Sequence, residues 1–289
     1  MKTQSKYTGT DPAPQVRFGP HYQLFPFMEQ QALYDIVSEM PNTWPTVDDG
    51  HAVTRNIPTL RCPSDTFGTG SALIDAHRQA VCNFIVNRGD TTTHDGPRTG
   101  ADGYAPTRGM FYFTEERGLE FAQDGTSNTF LISETVVPSA RGTREIRGGI
   151  VVIGGGLLDT GNWTHDPTHC LNAPRSGGTF TGEPVNRWRN ARTLDGRVMY
   201  TAFNTILPPN ALSCVWSNSE NCNGFYTANS NHTGGVNTAR VDGSATFVSD
   251  SVNTGGLPAT RQGRFLRGES PYGVWGALGT PQGGESKSL

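Results

Sequence analysis

Lysine is scarce in this 289-residue chain, and basic residues nowhere form a run. With a formal net charge of -3, that absence argues against a nucleic-acid footprint and against a polybasic membrane patch. The five cysteines, at 62, 82, 170, 214 and 222, contain no Cys-x-x-Cys pair, so the strong zinc and redox signatures are missing. No Gly-x-Ser-x-Gly occurs to place a serine nucleophile on a strained turn. Gly154-Gly155-Gly156 is followed by no Gly-Lys-Ser/Thr, and the full dinucleotide fingerprint is absent, which excludes the common phosphate-binding loops. The longest apolar stretch, residues 148–158, is eleven residues with five glycines, too short to cross a bilayer and suited to a core strand with bends.

What is present reads as a globular, loop-rich protein. The hydrophobic fraction of 34% omits glycine, and adding the 36 glycines in 289 residues brings it to about 46%, an ordinary globular value. Glycine at 36 and proline at 19 together make about 19% of the chain, enough for many turns and long loops. A chain of this length can bury a substantial core. In an oxidising compartment the shortest disulfide loops are Cys62 with Cys82 and Cys214 with Cys222, leaving Cys170 over. In a reducing one, five buried free thiols are expected.

Residues 26–40 have the pattern of an amphipathic helix that packs on a sheet: Pro26 in the first turn, an apolar face of Phe27, Leu33, Tyr34, Ile36, Val37 and Met40, and Pro41 as the stop. After a loop containing Asp48, Asp49 and Gly50, strands are expected over 57–62, 82–86, 109–113 and 130–136. His165, Asp166, His169 and Cys170 put four potential metal ligands in six residues, but Pro167 interrupts them and no Glu follows His165, so a polar surface loop is the better expectation. Leu194-Asp195-Gly196-Arg197 suggests a hairpin, and Leu207-Pro208-Pro209-Asn210 an exit from the sheet.

The chain is organised around residues 230–249. Two β-prone runs, 237–241 and 244–248, flank Asp242-Gly243, which predicts a tight hairpin with both central residues at positive φ. Gly234-Gly235 removes Cβ atoms where the backbone bends or nears another strand, with His232 just ahead of it. A His, nine residues and Asp-Gly, with Gly234, Gly235 and Asn237 in the gap, resembles the C-terminal signature of the bacterial prepilin-type protein family. Three further blocks resemble that family in the same order: Pro26 to Tyr34; Leu60-Arg61-Cys62-Pro63-Ser64-Asp65; and Phe121 to Thr129, which holds Asp124, Gly125 and Asn128. The 204–210 segment resembles a block of its longer members, and the likeness covers roughly residues 20–250.

The resemblance implies a pilin-like α+β fold, one N-terminal helix packed on an antiparallel sheet with long Gly/Pro-rich loops. The expected layout is a polar segment over 1–20, a single domain over 21–278 with an elaboration over about 140–225, and a flexible tail over 279–289. Family members begin with a basic leader, a cleavage site and a long apolar anchor helix. Met1 falls about where that helix would have ended, so a shortened or incompletely read chain is expected, with no visible export route and no membrane contact of its own. The address implied is extracellular or periplasmic, at the cell surface, with other pilin-like subunits or envelope proteins as partners. From the residues themselves, Asp124 or Ser127 is expected to cap a turn through its side-chain oxygens. Because major pseudopilins of type II secretion bind calcium in a loop, Asp124 is also a calcium candidate, although no EF-hand spacing supports it.

Three functions compete. The first is a non-catalytic pilin-like or pseudopilin-like head on a filament or secretion apparatus, in which His232 bonds Asp242 or the turn amides and locks the hairpin register. The second is a hydrolase with His232 as base, oriented by Asp242 or Glu134. The third is a glycan or small-solute binding module using Trp44, Trp163, Trp188, Trp216 or Trp275. The first is expected, with no catalytic residue and no cofactor.

Overall fold

In the computed structural model, strand-forming residues and turn formers alternate closely enough that most elements are only two to six residues long. The structure describes residues 18–40, 51–65, 80–92, 107–112, 116–140, 142–154, 158–159, 164–182, 184–186, 189–220, 222–261, 268–285 and 287–289. The polar segment before residue 18, the Asp48-Asp49-Gly50 loop, Gly155-Gly156, Trp44, Trp163 and Trp188 lie outside them.

In chain order the strands are β1 (Phe84–Asn87), β2 (Phe130–Glu134), β3 (Val151–Val152), β4 (Leu158–Asp159), β5 (Thr164–His165), β6 (Arg175–Ser176), β7 (Thr179–Phe180), β8 (Ala202–Phe203), β9 (Cys214–Val215), β10 (Gly224–Phe225), β11 (Gly235–Arg240), β12 (Ala245–Ser249) and β13 (Thr260–Arg261). The α-helices are α1 (Pro20–Leu24), α2 (Gln31–Ser38), α3 (Pro167–Leu171), α4 (Val198–Thr201) and α5 (Gly273–Gly279). The fold is α+β, as expected. Its main sheet has five strands in the order β12-β11-β2-β1-β8. All its pairs are antiparallel except β1 with β8, so the sheet is mixed rather than purely antiparallel.

Alternation along β1 shows how the sheet is buried: Ile85 and Val86 point to opposite faces and enter different apolar clusters. Ile85 joins Phe130, Phe203, Val236, Val248, Trp275 and Leu278. Trp275 and Leu278 belong to α5, and the fully buried indole lies 5.3 Å from the Phe130 ring and 6.0 Å from that of Phe203. A helix near the C-terminus thus covers one face of the sheet.

The single helix expected over 26–40 is divided in two. Residues Phe25–Met28 form a 3-10 turn, and Glu29 takes the left-handed conformation at φ 59° before α2 begins. The amide of Gln30 closes that turn on the Phe25 carbonyl, a C-terminal capping arrangement that ends one helix and starts another. Phe27, assigned to the apolar face, is therefore 86% exposed, whereas Tyr22, Phe25 and Val37 pack with Phe84 at the start of β1.

Other expectations are also corrected. Residues 57–62 form no strand, because Pro58 begins a 3-10 turn over Pro58–Leu60. The described part of 109–113 forms none either: Gly109 lies so close to Gly89 that the two backbones leave no room for a Cβ at either position. Asp195-Gly196 makes no hairpin. The fully buried Asp195 carboxylate accepts bonds from the Arg197 amide (3.1 Å) and guanidinium and lies 3.8 Å from Arg192, so it anchors cations at the start of α4. The expected polar loop around His165 is instead a buried histidine followed by a helix, with Asp166 accepting from the Thr168 amide as N-cap and Pro167 in the first turn.

The disulfide joins Cys170, the residue expected to be left over, to Cys214, while Cys62, Cys82 and Cys222 are free thiols. Cys170 ends its turn of α3 facing β9, inside an apolar cluster with Phe180, Leu212 and Phe225. That tertiary contact overrides the shorter loops favoured by spacing. The residues after 279 are also tied down: Asp124 accepts bonds from the amides of Gly283 (2.7 Å) and Gly284 (3.1 Å), and Glu285 accepts from the Ser270 amide at 2.6 Å. No helix among the described residues is long and apolar enough to cross a membrane.

Candidate functional site

Glu134 is the last residue of β2, facing Phe84 on β1 and lying one step beyond the Thr238–Ser133 pair on β11. It is only 5% exposed, so its carboxylate needs donors inside the protein. Asn237 supplies two: its amide N–H bonds Oε2 at 2.7 Å and its side-chain Nδ2 bonds Oε1 at 3.2 Å. The Ser133 hydroxyl donates to the Asn237 carbonyl at 3.2 Å. Side chains therefore complete the β2–β11 ladder where backbone pairing stops. The third donor is His232, whose Nε2 lies 3.2 Å from Glu134 Oε1.

The turn before β11 puts the imidazole there. The His232 amide and the Gly235 carbonyl both bond the Ser230 hydroxyl, at 3.1 and 2.8 Å. Gly234 takes φ 80°, and a Cβ on Gly235 would stand 2.1 Å from the Val248 carbonyl oxygen. The two glycines thus do different jobs, one a bend and the other a close strand approach. Gly234→Ala is expected to cost about 1 kcal/mol of stability from backbone strain, and Gly235→Ala about 3 kcal/mol from overpacking. Urea midpoints of the two variants test this; equal midpoints would contradict it.

Cys62 approaches the same imidazole nitrogen, its Sγ 3.6 Å from His232 Nε2. Asn83 holds that segment in place, accepting from the Cys62 amide (3.0 Å) and donating to the Asp65 carboxylate and the Thr135 carbonyl. Asp65 also accepts from the Val137 amide (2.8 Å) and Asn231 Nδ2 (3.4 Å). The block containing Cys62, Pro63 and Asp65 and the block containing His232 therefore meet at one end of the sheet.

The Asp124–Thr129 block meets the hairpin turn at the other end. Gly125 takes φ 104°, Asn128 Nδ2 donates to the Asp124 carbonyl (3.1 Å), and the amides of Val241 and Asp242 bond the carbonyls of Thr129 and Thr126. The hairpin turn is a three-residue loop, Val241-Asp242-Gly243, in which only Gly243 has positive φ. The Asp242 carboxylate accepts from the Ser244 hydroxyl (2.7 Å) and amide (2.9 Å), bonds that hold it below its ordinary pKa.

The expected clasp between His232 and Asp242 is therefore overturned. The six residues of β11 separate the two groups by roughly 17 Å at about 3.3 Å per step, and the partner of the imidazole is Glu134. Asp124 does not cap its own turn; its two oxygens face the Gly283 and Gly284 amides, and the metal-ligand grouping that the described residues hold is Cys62, Glu134 and His232. Among the described tryptophans, Trp275 is buried and Trp216 is 40% exposed, so no pair of rings forms a stacking platform. The sequence offers Glu134 only as a residue to orient a His232 base. The signal of its structural role is a lone carboxylate closing the otherwise uncharged, mostly apolar run Phe130-Leu131-Ile132-Ser133.

A catalytic relay uses both ring nitrogens of a histidine, one for the nucleophile and one for the orienting acid. Here the Cys62 sulfur and the Glu134 oxygen converge on Nε2 alone. That geometry differs from a two-nitrogen relay, and it can brace three segments or share a cation.

No curated protein and no solved structure matches the chain. One family model does, over residues 2–255, and on that match the chain belongs to the SBP_bac_10 family, described as protein of unknown function (DUF1559).

Proposed function

We infer that this chain is the non-catalytic, pilin-like globular head of an exported bacterial envelope protein, held at the cell surface or in the periplasm by other pilin-like subunits or envelope proteins. The observation that carries this reading is the use made of Glu134 and the motif residues around it. Glu134, Asn237, His232 and Asp65 direct their polar groups at backbone amides and at one another, which fastens the C-terminal hairpin to the central strand. The Cys170–Cys214 disulfide favours an oxidising compartment. Small-solute binding is the second reading, supported by a recess of about 350 Å³ lined by Val136, Glu145, Ile146, Arg147, Asn210 and Asn231. Its asparagines are already engaged, Asn210 with Gly235, Asp250 and Ser230 and Asn231 with Asp65, which weakens that reading.

The test is fractionation of cells expressing the natural gene, with thiol trapping before lysis. The expected result is protein outside the cytoplasmic membrane with Cys170 and Cys214 protected from alkylation. Cytoplasmic protein with both cysteines alkylated would overturn the assignment of compartment. Hydrolysis of ester or peptide substrates by the purified chain, lost in His232→Ala, would overturn the non-catalytic part.

A further inference from the structure

We propose that Cys62, Glu134 and His232 form a binding site for a borderline-soft divalent cation of the zinc type. The argument is metric. Zinc bound at about 2.3 Å to sulfur and about 2.0–2.1 Å to nitrogen and oxygen, at tetrahedral angles, holds its nitrogen and sulfur ligands about 3.5 Å apart and its nitrogen and oxygen ligands about 3.3 Å apart. The corresponding separations here are 3.6 Å for His232 Nε2 to Cys62 Sγ and 3.2 Å for His232 Nε2 to Glu134 Oε1. All three ligand atoms lie within 4.8 Å of one another, so closing the sulfur–oxygen pair to the roughly 3.5 Å of a tetrahedral site takes a side-chain shift of at most about 1.3 Å.

The chemistry of the donors agrees with the spacing. A thiolate and a carboxylate neutralise a divalent charge, and imidazole with thiolate selects zinc over calcium or magnesium. The surrounding bonds orient the ligands as metal sites require. Asn237 fixes Glu134 through both of its oxygens, and Asn83 holds the backbone of Cys62. On binding, the Cys62 thiol proton leaves to solvent and the imidazole proton moves from Nε2 to Nδ1. The three side chains leave the fourth tetrahedral position open, and His232, 30% exposed, puts it next to solvent.

The ligands come from three distant segments, so the cation crosslinks the turn after Leu60, the end of β2 and the turn before β11. This site is independent of where the protein resides, and its test does not depend on the cellular assignment above.

The experiment is titration of the purified, reduced, metal-free chain with cobalt(II), a spectroscopic substitute for zinc. The expected result is one cobalt per chain, with a thiolate-to-cobalt charge-transfer absorption in the near ultraviolet that zinc abolishes by displacement. Cys62→Ser removes the band, His232→Ala weakens binding at least tenfold, and Cys82→Ser and Cys222→Ser leave both unchanged. X-ray absorption of the zinc-loaded natural chain, which needs no variant to fold, is expected to show one sulfur neighbour near the zinc–thiolate distance. A chain that gives no cobalt–thiolate band, a band that survives Cys62→Ser, or a zinc spectrum with no sulfur neighbour overturns the proposal.

Discussion

Lowering the pH from 7 to 4 is expected to remove about 3 kcal/mol of folding stability for each of two buried histidines, His21 and His165. Burial is the main cause in both, and it pushes each imidazole down from 6.5 to about 4. His21 bonds the Phe84 carbonyl at 2.7 Å through Nε2, which partly offsets the shift, while its Nδ1 has no partner. His165 meets the Thr92 hydroxyl at Nδ1. Between pH 6.5 and 4 the unfolded chain binds a proton at each histidine and the folded chain does not. Stability is therefore complete above pH 6.5, falls as the pH drops, and has lost the full contribution near pH 4. Two such losses approach the whole stability of an ordinary domain. Urea midpoints at pH 7 and pH 4.5 measure the effect. Carboxylates can act in the same direction, so the decisive comparison is with His21→Gln and His165→Gln, each of which is expected to flatten the profile. An unchanged slope in the double variant would contradict the account.

Replacing Cys170 and Cys214 together by serine is expected to cost about 4 kcal/mol, the loop-closure entropy of a crosslink spanning 44 residues. Both cysteines are fully buried among Phe180, Leu212 and Phe225, so a reductant reaches the bond only after local opening. The oxidised chain is therefore expected to resist reductant under native conditions and to lose the bond once urea is added. Equal midpoints for oxidised chain and double-serine variant would show that the crosslink contributes nothing.

The parts of the fold legible in the sequence were those set by local chemistry. The C-terminal hairpin follows from two β-prone runs around Asp242-Gly243, and β2 from the apolar run after Asn128. The turn type was missed because the Arg240–Ser244 closure adds one residue to the loop. The break at Glu29 was not legible either: a non-glycine residue at positive φ leaves no mark in an apolar pattern that continues on both sides of it. Tertiary contacts decided the remaining misreadings. Cys170 finds Cys214 only once α3 lies against β9, and the Asp-Gly at 195 and 196 resembles a turn until two buried arginines are seen to need its carboxylate. The site was half legible. The family blocks marked His232 and the Cys62 segment, but which residue answered the imidazole depended on the register of β11 against β2.

The claim that Glu134 fastens the C-terminal hairpin to the central strand is tested most directly by hydrogen exchange at the Asn237 amide, whose N–H bonds Glu134 Oε2 at 2.7 Å. Amide exchange followed by NMR is expected to show Asn237 protected in the natural chain to nearly the level of the β2 amides. In Glu134→Ala that protection is expected to fall at least tenfold relative to β2. An Asn237 amide that exchanges freely in the natural chain, or keeps its protection when the carboxylate is removed, would contradict the account.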